Sequence, residues 1–289
     1  MKKINKKKIL ILVILIIAIV FIILKVTRKE TNIQNNDQMG SAESQEVEAN
    51  VNTNQENETN VLEEKLKNGK YLSENGLPVL MYHFFYDKAK DSGKDGNWIE
   101  ISNFEEQMKY LSENDFYFPT WEQVENYIDG NQELPEKSIV ITADDGDPSF
   151  FELAVPVIQK YKIPVTSFVI TYWYGDRAKD KQQYVDYESH SYDMHKAGKN
   201  GKGVMLSWDY DKIKDDVLLS SEVLGGANIF CYPFGQYNDL DMKVLKENGY
   251  KLAFTTKAGR VKKSSSKYEL PRVRISGNTS LSEFIKKIE

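Results

Sequence analysis

From residue 78 onward, short apolar runs alternate with segments whose apolar positions recur every three or four residues. The runs are PVLMYHFF from Pro78, SIVITA from Ser138, PVTSFVIT from Pro164, NIFCYPFG from Asn228, KLAFTT from Lys251 and LPRVRI from Leu270. Runs of this length and β-branched content predict buried strands. Between them the period lengthens. SNFEEQMKYLSEND spaces Phe104, Met108 and Leu111 for one helical face, with Ser102 and Glu105 placed as a capping box. Thr120 and Gln123 form a second box ahead of WEQVENYIDG. DPSFFELAVPVIQKYK predicts a helix kinked at Pro156; SWDYDKIKDDVLLSSEVLGG predicts one capped at Ser207 and closed by Gly225 and Gly226. NDLDMKVLKENGY and LSEFIKKIE complete the helical set. Strands alternating with helices imply a parallel sheet covered by helices, and six or seven such units predict a closed or nearly closed (β/α) barrel. Active sites of such barrels lie at the C-terminal strand ends.

The N-terminal pattern is different. Ile9 to Leu24 is apolar at every position, Val26 extends the run past Lys25, and five lysines precede it. This is close to the minimum for a membrane span, and its exit, LKVTRKET, lacks a small-x-small cleavage site. Residues 1–28 are therefore expected to be a Lys-rich cytoplasmic tail and an uncleaved signal anchor. The lysine bias places the rest of the chain outside the cell, on a single-pass membrane protein. Residues 29–60 are rich in Asn, Gln, Glu, Ser and Thr without an aromatic residue, which predicts a disordered tether. Residues 61–289 make one domain. The first 29 residues hold eight of the 38 Lys and Arg and no acid, so the rest carries 30 basic against 43 acidic residues. That balance argues against a nucleic-acid partner. The single cysteine, Cys231, excludes an intrachain disulfide and is read as a small buried residue.

Chemistry enters at SIVITADDGDPSF, where a buried strand ends in Asp144, Asp145 and, after Gly146, Asp147. Adjacent carboxylates resist burial together unless a cation lies between them. The chain has three histidines, His83, His190 and His195. The last two, in YESHSYDMH, stand about 140° apart on a helix, which excludes a one-face helical zinc motif. A strand end running into a loop could aim both rings at one point, with Ser191 and Asp193 orienting them. Two imidazoles and one carboxylate with open positions make a common hydrolytic metal site. A second carboxylate alongside could act as base. A solvated DDG turn and a solvated HSYDMH loop are the plainer alternative.

These residues resemble the polysaccharide deacetylase (NodB-homology) family. TADDGD resembles its first motif, ESHSYDMH its second, CYPFG its third, and VLMYHFF the strand that often opens the domain. The resemblance runs from Pro78 to the C-terminus. It implies a deformed (β/α) barrel of about seven parallel strands and metal-dependent removal of acetyl groups from a polysaccharide. It also implies Asp144 as general base and a divalent metal, usually Zn2+, on Asp145, His190 and His195. Pro233, Phe234 and Gly235 would line the substrate, with the Phe234 N–H serving the oxyanion.

There are departures. The second motif has one residue more between its histidines than is commonest, which resembles the branch acting on poly-N-acetylglucosamine. Cys231 stands where many members have an arginine paired with the base, so Arg272 or Arg274 is expected to supply that charge at the substrate site. No histidine follows His195, which leaves His83 as candidate general acid. Trp208 and the stretch TYWYGD (Thr171–Asp176) are candidate sugar-binding aromatics. The expected function is N-deacetylation of an N-acetylglucosamine polymer, either poly-N-acetylglucosamine or peptidoglycan. A carbohydrate-binding pseudoenzyme and an acetyl-ester hydrolase are the alternatives.

Overall fold

A computed structural model describes residues 60–67, 69–198 and 201–289. The anchor and nearly all of the tether expected from the sequence lie outside these residues. Among the described residues no helix is long and apolar enough to cross a membrane. The chain separates into two units at Glu64 and Lys65, and every element named below belongs to the second.

Seven strands close into a parallel barrel in the order β1 (Val79–Tyr82), β4 (Val140–Asp145), β5 (Val165–Val169), β6 (Val185–Ser189), β7 (Ile229–Cys231), β8 (Leu252–Ala258) and β9 (Leu270–Arg274), with β9 returning to β1. This is the architecture the alternation predicted. The opening run is two strands rather than one. It breaks at His83, and β2 (Phe84–Tyr86) pairs outside the barrel with β3 (Trp98–Glu100).

The helices follow the apolar pattern with shifted ends. α1 (Ile101–Glu113) buries Phe104, Met108 and Leu111 as expected. Its N-cap is Glu100, whose side chain accepts the Ser102 N–H, because β3 delivers the chain directly into the helix. α2 (Trp121–Ile128) has the expected Thr120–Gln123 capping box. Around Pro156 the helical run changes pitch, as a proline inside a helix predicts: a π-helical turn at Phe150–Ala154 passes without a break into α3 (Val155–Tyr161). TYWYGD opens α4 (Thr171–Ala178). α5 (Tyr210–Leu224) is capped by Asp209, while Ser207 ends a short 3-10 turn. α6 (Asp239–Glu247) and α7 (Leu281–Ile288) complete the layer. One apolar cluster seats α1, α3 and α7 on β1, β4 and β5; a second seats α5 and α6 on β7 and β8.

The barrel is weakest between β6 and β7, which share a single register pair, Ser189 with Phe230. Buried Glu188 bridges the gap. One of its oxygens, Oε2, accepts both the Asn228 N–H (2.9 Å) and the Ile229 N–H (2.8 Å). Glu188→Ala strands two donors and is expected to cost about 2–4 kcal/mol in chemical denaturation. Glu188→Gln, whose single amide oxygen can take both bonds, should lose under about 1 kcal/mol. Equal stability of the alanine variant and the wild type would remove Glu188 as the seam's support.

Candidate active site

Alternation along β4 sends Ile141 and Ala143 out to the helical layer and turns Thr142 and Asp144 inward, where both meet Arg272. By that parity Asp145 would follow Ala143 outward. Instead β4 ends there with φ +75°, a left-handed conformation uncommon for a non-glycine residue. Ser191 (φ +73°) and Phe234 (φ +59°) share it, so three of the seven such residues in the described structure surround one site. Backbone strain of this kind persists only where surrounding structure imposes it. The third acid of the cluster, Asp147, is a turn residue. Its Oδ1 accepts the Ser149 N–H at 2.8 Å.

The cation that the acid cluster requires is Arg272, from β9. It is 1% exposed, and its Nη1 and Nη2 donate to Asp144 Oδ1 (2.7 Å) and Oδ2 (2.6 Å). Nε donates to the Thr255 carbonyl (3.0 Å), Nη1 also to Thr142 Oγ1 (3.0 Å), and Nη2 reaches Cys231 Sγ (3.1 Å). Burial alone would push the Asp144 carboxyl up. The paired guanidinium overrides it and holds the group well below the usual carboxylate range. Arg272 thus supplies the expected charge, but its burial keeps it from facing substrate. Arg274, two residues on, is exposed and bonds Asn97.

His190 and His195 bring their Nε2 atoms to 3.3 Å and 3.5 Å from the same oxygen, Asp145 Oδ1. His190 Nδ1 donates to the Cys231 carbonyl at 2.8 Å, a partner that can only accept, which fixes the ring with Nε2 toward the carboxylate. This corrects the expected orienting partners. Ser191 Oγ instead accepts the Met194 N–H, and Asp193 pairs with Lys196.

The fit to a metal is tested by what is left unpaired. Asp145 Oδ1 is buried without a hydrogen-bond partner, although two imidazole nitrogens point at it. One carboxylate and two imidazoles converging within 4.8 Å of one another are a donor set for a divalent cation such as zinc. A second convergent group, Asp144, His190 and Cys231, suits a metal less. Arg272 occupies both oxygens of Asp144, and burial pushes the Cys231 thiol up.

His83 lies at the same rim, with Nε2 3.7 Å from Asp144 Oδ2. Burial pushes its pKa below the ordinary value, against the pull of Asp144 and Asp145. Phe234 is 44% exposed, and its ring centroid lies 4.3 Å from that of His195. Gly235 has no room for a side chain, since a Cβ would fall 2.1 Å from Thr256 Oγ1. Trp173, 48% exposed, has its ring centroid 6.2 Å from that of His195, and Tyr172 beside it is 56% exposed. The stretch Thr171–Asp176 therefore does border the site. Trp208 packs on the second apolar cluster, with Lys212 Nζ 3.9 Å over its ring.

Residues 131–253 match the family model of polysaccharide deacetylase. A poly-β-1,6-N-acetyl-D-glucosamine N-deacetylase of Staphylococcus aureus is 29% identical over 234 residues, covering 70% of this chain and 80% of that protein. The solved structure of IcaB from Ammonifex degensii is 25% identical with a TM-score of 0.64, covering 76% of this chain and 99% of that one. The Streptococcus pyogenes deacetylase PplD, solved with acetate, shares the fold at 22% identity and TM-score 0.64, covering 74% and 98%.

Proposed function

We propose that the chain, whose residues 131–253 match the polysaccharide deacetylase family model, is a polysaccharide N-deacetylase that removes N-acetyl groups from β-1,6-linked poly-N-acetylglucosamine at the cell surface, using a divalent metal held by Asp145, His190 and His195. The observation that carries this reading is the convergence of the His190 and His195 Nε2 atoms on an unpaired buried oxygen of Asp145, directly beside a carboxylate held by Arg272. The linkage is supported by the named activity of the staphylococcal relative. On this reading residues 9–26 anchor the chain in the membrane, and residues 29–60 give the domain reach toward its polymer.

When bound, a divalent cation supplies Lewis acidity toward an acetyl carbonyl and acidifies water. The chain's own groups do the rest. Arg272 keeps Asp144 ionised and fixed in orientation, ready to accept a proton from the attacking water. The low pKa of Asp144 makes it a weak base, which suits a water already acidified. His83, 3.7 Å from Asp144 Oδ2, is placed to pass a proton toward the departing amine. The backbone N–H of Phe234 serves the oxyanion, and Trp173 and Phe234 present rings to the sugar.

The test is acetate release by the purified full-length chain from β-1,6 and β-1,4 N-acetylglucosamine oligomers, with chelator and with zinc restored. Release from the β-1,6 oligomer should exceed that from the β-1,4 oligomer, vanish with chelator and return with zinc. Preference for the β-1,4 oligomer would redirect the reading to wall-type glycan, and release only from acetyl esters would make the chain an esterase. Stoichiometric metal without any release would favour a binding protein.

A further inference from the structure

His190 and His195 are joined by Ser191, Tyr192, Asp193 and Met194, which belong to no helix or strand. Such a segment has no ladder of its own to fix the second histidine relative to the first. Its backbone is nevertheless held at three successive residues. The Tyr192 N–H donates to Asp216 Oδ1 at 2.7 Å and the Asp193 N–H to Asp216 Oδ2 at 2.8 Å. The Ser191 N–H donates to Ser189 Oγ at 3.1 Å. Asp216 and Ser220 stand one turn apart on α5, and Ser220 Oγ lies 2.7 Å from Ser189 Oγ. One face of α5 therefore holds the middle of the connection directly and its start through Ser189, while the Ser191 and Tyr192 carbonyls accept the Thr171 and Tyr172 N–H groups of α4.

Asp216 is 6% exposed. Its carboxyl is pushed up to about 6 by burial, against the two amide donors, so at neutral pH it is ionised. Amide bonds to an ionised acceptor are stronger than neutral ones. Ionised Asp216 also holds one acceptor for each amide, an arrangement an Asn cannot reproduce.

We infer that Asp216 is a positioning residue of the metal centre: its two oxygens clamp consecutive amides between the histidine ligands and so set how tightly the site binds its cation. This rests on the metal-centre reading above. Asp216 touches neither substrate nor the reacting atoms. Nothing in the sequence marks it, because it lies 21 residues past His195 on a helix whose neighbouring positions are also charged.

The experiment measures zinc affinity of the full-length chain by competition with a chromogenic chelator, and the absorption spectrum of the cobalt-loaded protein. Asp216→Asn, nearly isosteric, should weaken zinc binding about 10- to 100-fold and alter the cobalt spectrum, with activity partly restored by excess zinc. Asp216→Glu keeps the charge but displaces the grip, and should give a smaller loss of affinity. Asp215→Asn, the same charge change on the exposed neighbour, should leave affinity unchanged. Zinc affinity within about twofold of wild type in both Asp216 variants, even with lowered thermal stability, overturns the inference and leaves Asp216 a structural residue. Failure of the wild-type chain to take up either metal would overturn the proposed function first, and this inference with it.

Discussion

Asp144→Asn is expected to leave metal uptake intact and to cut acetate release by about 10²- to 10⁴-fold, whereas His190→Ala is expected to abolish both. The contrast follows from which atoms are free. Both oxygens of Asp144 are occupied by Arg272, so they are not available to a cation, but one of them also lies 3.7 Å from His83 on the path a proton would take. An amide at this position cannot accept the proton of an attacking water. His190 is different. Its Nδ1 is tied to the Cys231 carbonyl, and its Nε2 is one of three donors converging on the same point. Removing it leaves two donors, Asp145 and His195, too few for the site. Metal content by elemental analysis and acetate release on the same preparations decide the matter. Full metal retention by His190→Ala would sink the ligand assignment, and undiminished turnover by Asp144→Asn would sink the base.

The acids and histidines were legible in the sequence because they travel in short motifs whose residue types have few other uses together. The barrel was legible because most of its strands are apolar runs; β6, VDYES, with two acids among five residues, carries no such signal and is not among the strands the pattern predicts. What the sequence left open depends on depth and direction. Arg272 and Arg274 share a face of β9 by alternation, and only the closed sheet shows that the first is buried while the second is exposed. Asp145 breaks the parity of β4 through a positive φ that no residue type announces. The capping role passed from Ser102 to Glu100 because β3 runs straight into α1, a junction invisible to a pattern read one helix at a time. The orienting partner of His190 is a backbone carbonyl, which carries no sequence signal. Trp208 looked like a groove residue from its place at a helix start, yet its ring is taken up by packing and by Lys212.

Arg272→Met carries the largest expected effect on the fold and the site together. In the native barrel the guanidinium neutralises Asp144 and also joins β9 to β4 and β8 through Thr142 and the Thr255 carbonyl. Its removal leaves a buried carboxylate without a counter-charge, and breaking one side of such a pair typically costs about 3–5 kcal/mol. Activity should fall by at least about 10²-fold, since Asp144 loses both its fixed orientation and the cation that keeps it ionised. Metal uptake should survive, because Asp145, His190 and His195 make none of these bonds. Arg272→Lys keeps a charge but offers three donors from one point instead of a planar fork, so it should fall between the two. The double variant Arg272→Met with Asp144→Asn removes the stranded charge and should regain part of the lost stability while remaining inactive. Denaturant unfolding and acetate release across the four proteins separate these contributions. A single Arg272→Met variant as stable as wild type would mean that Asp144 is compensated by some other group, and a fully active one that the base does not depend on Arg272 for its charge or its aim.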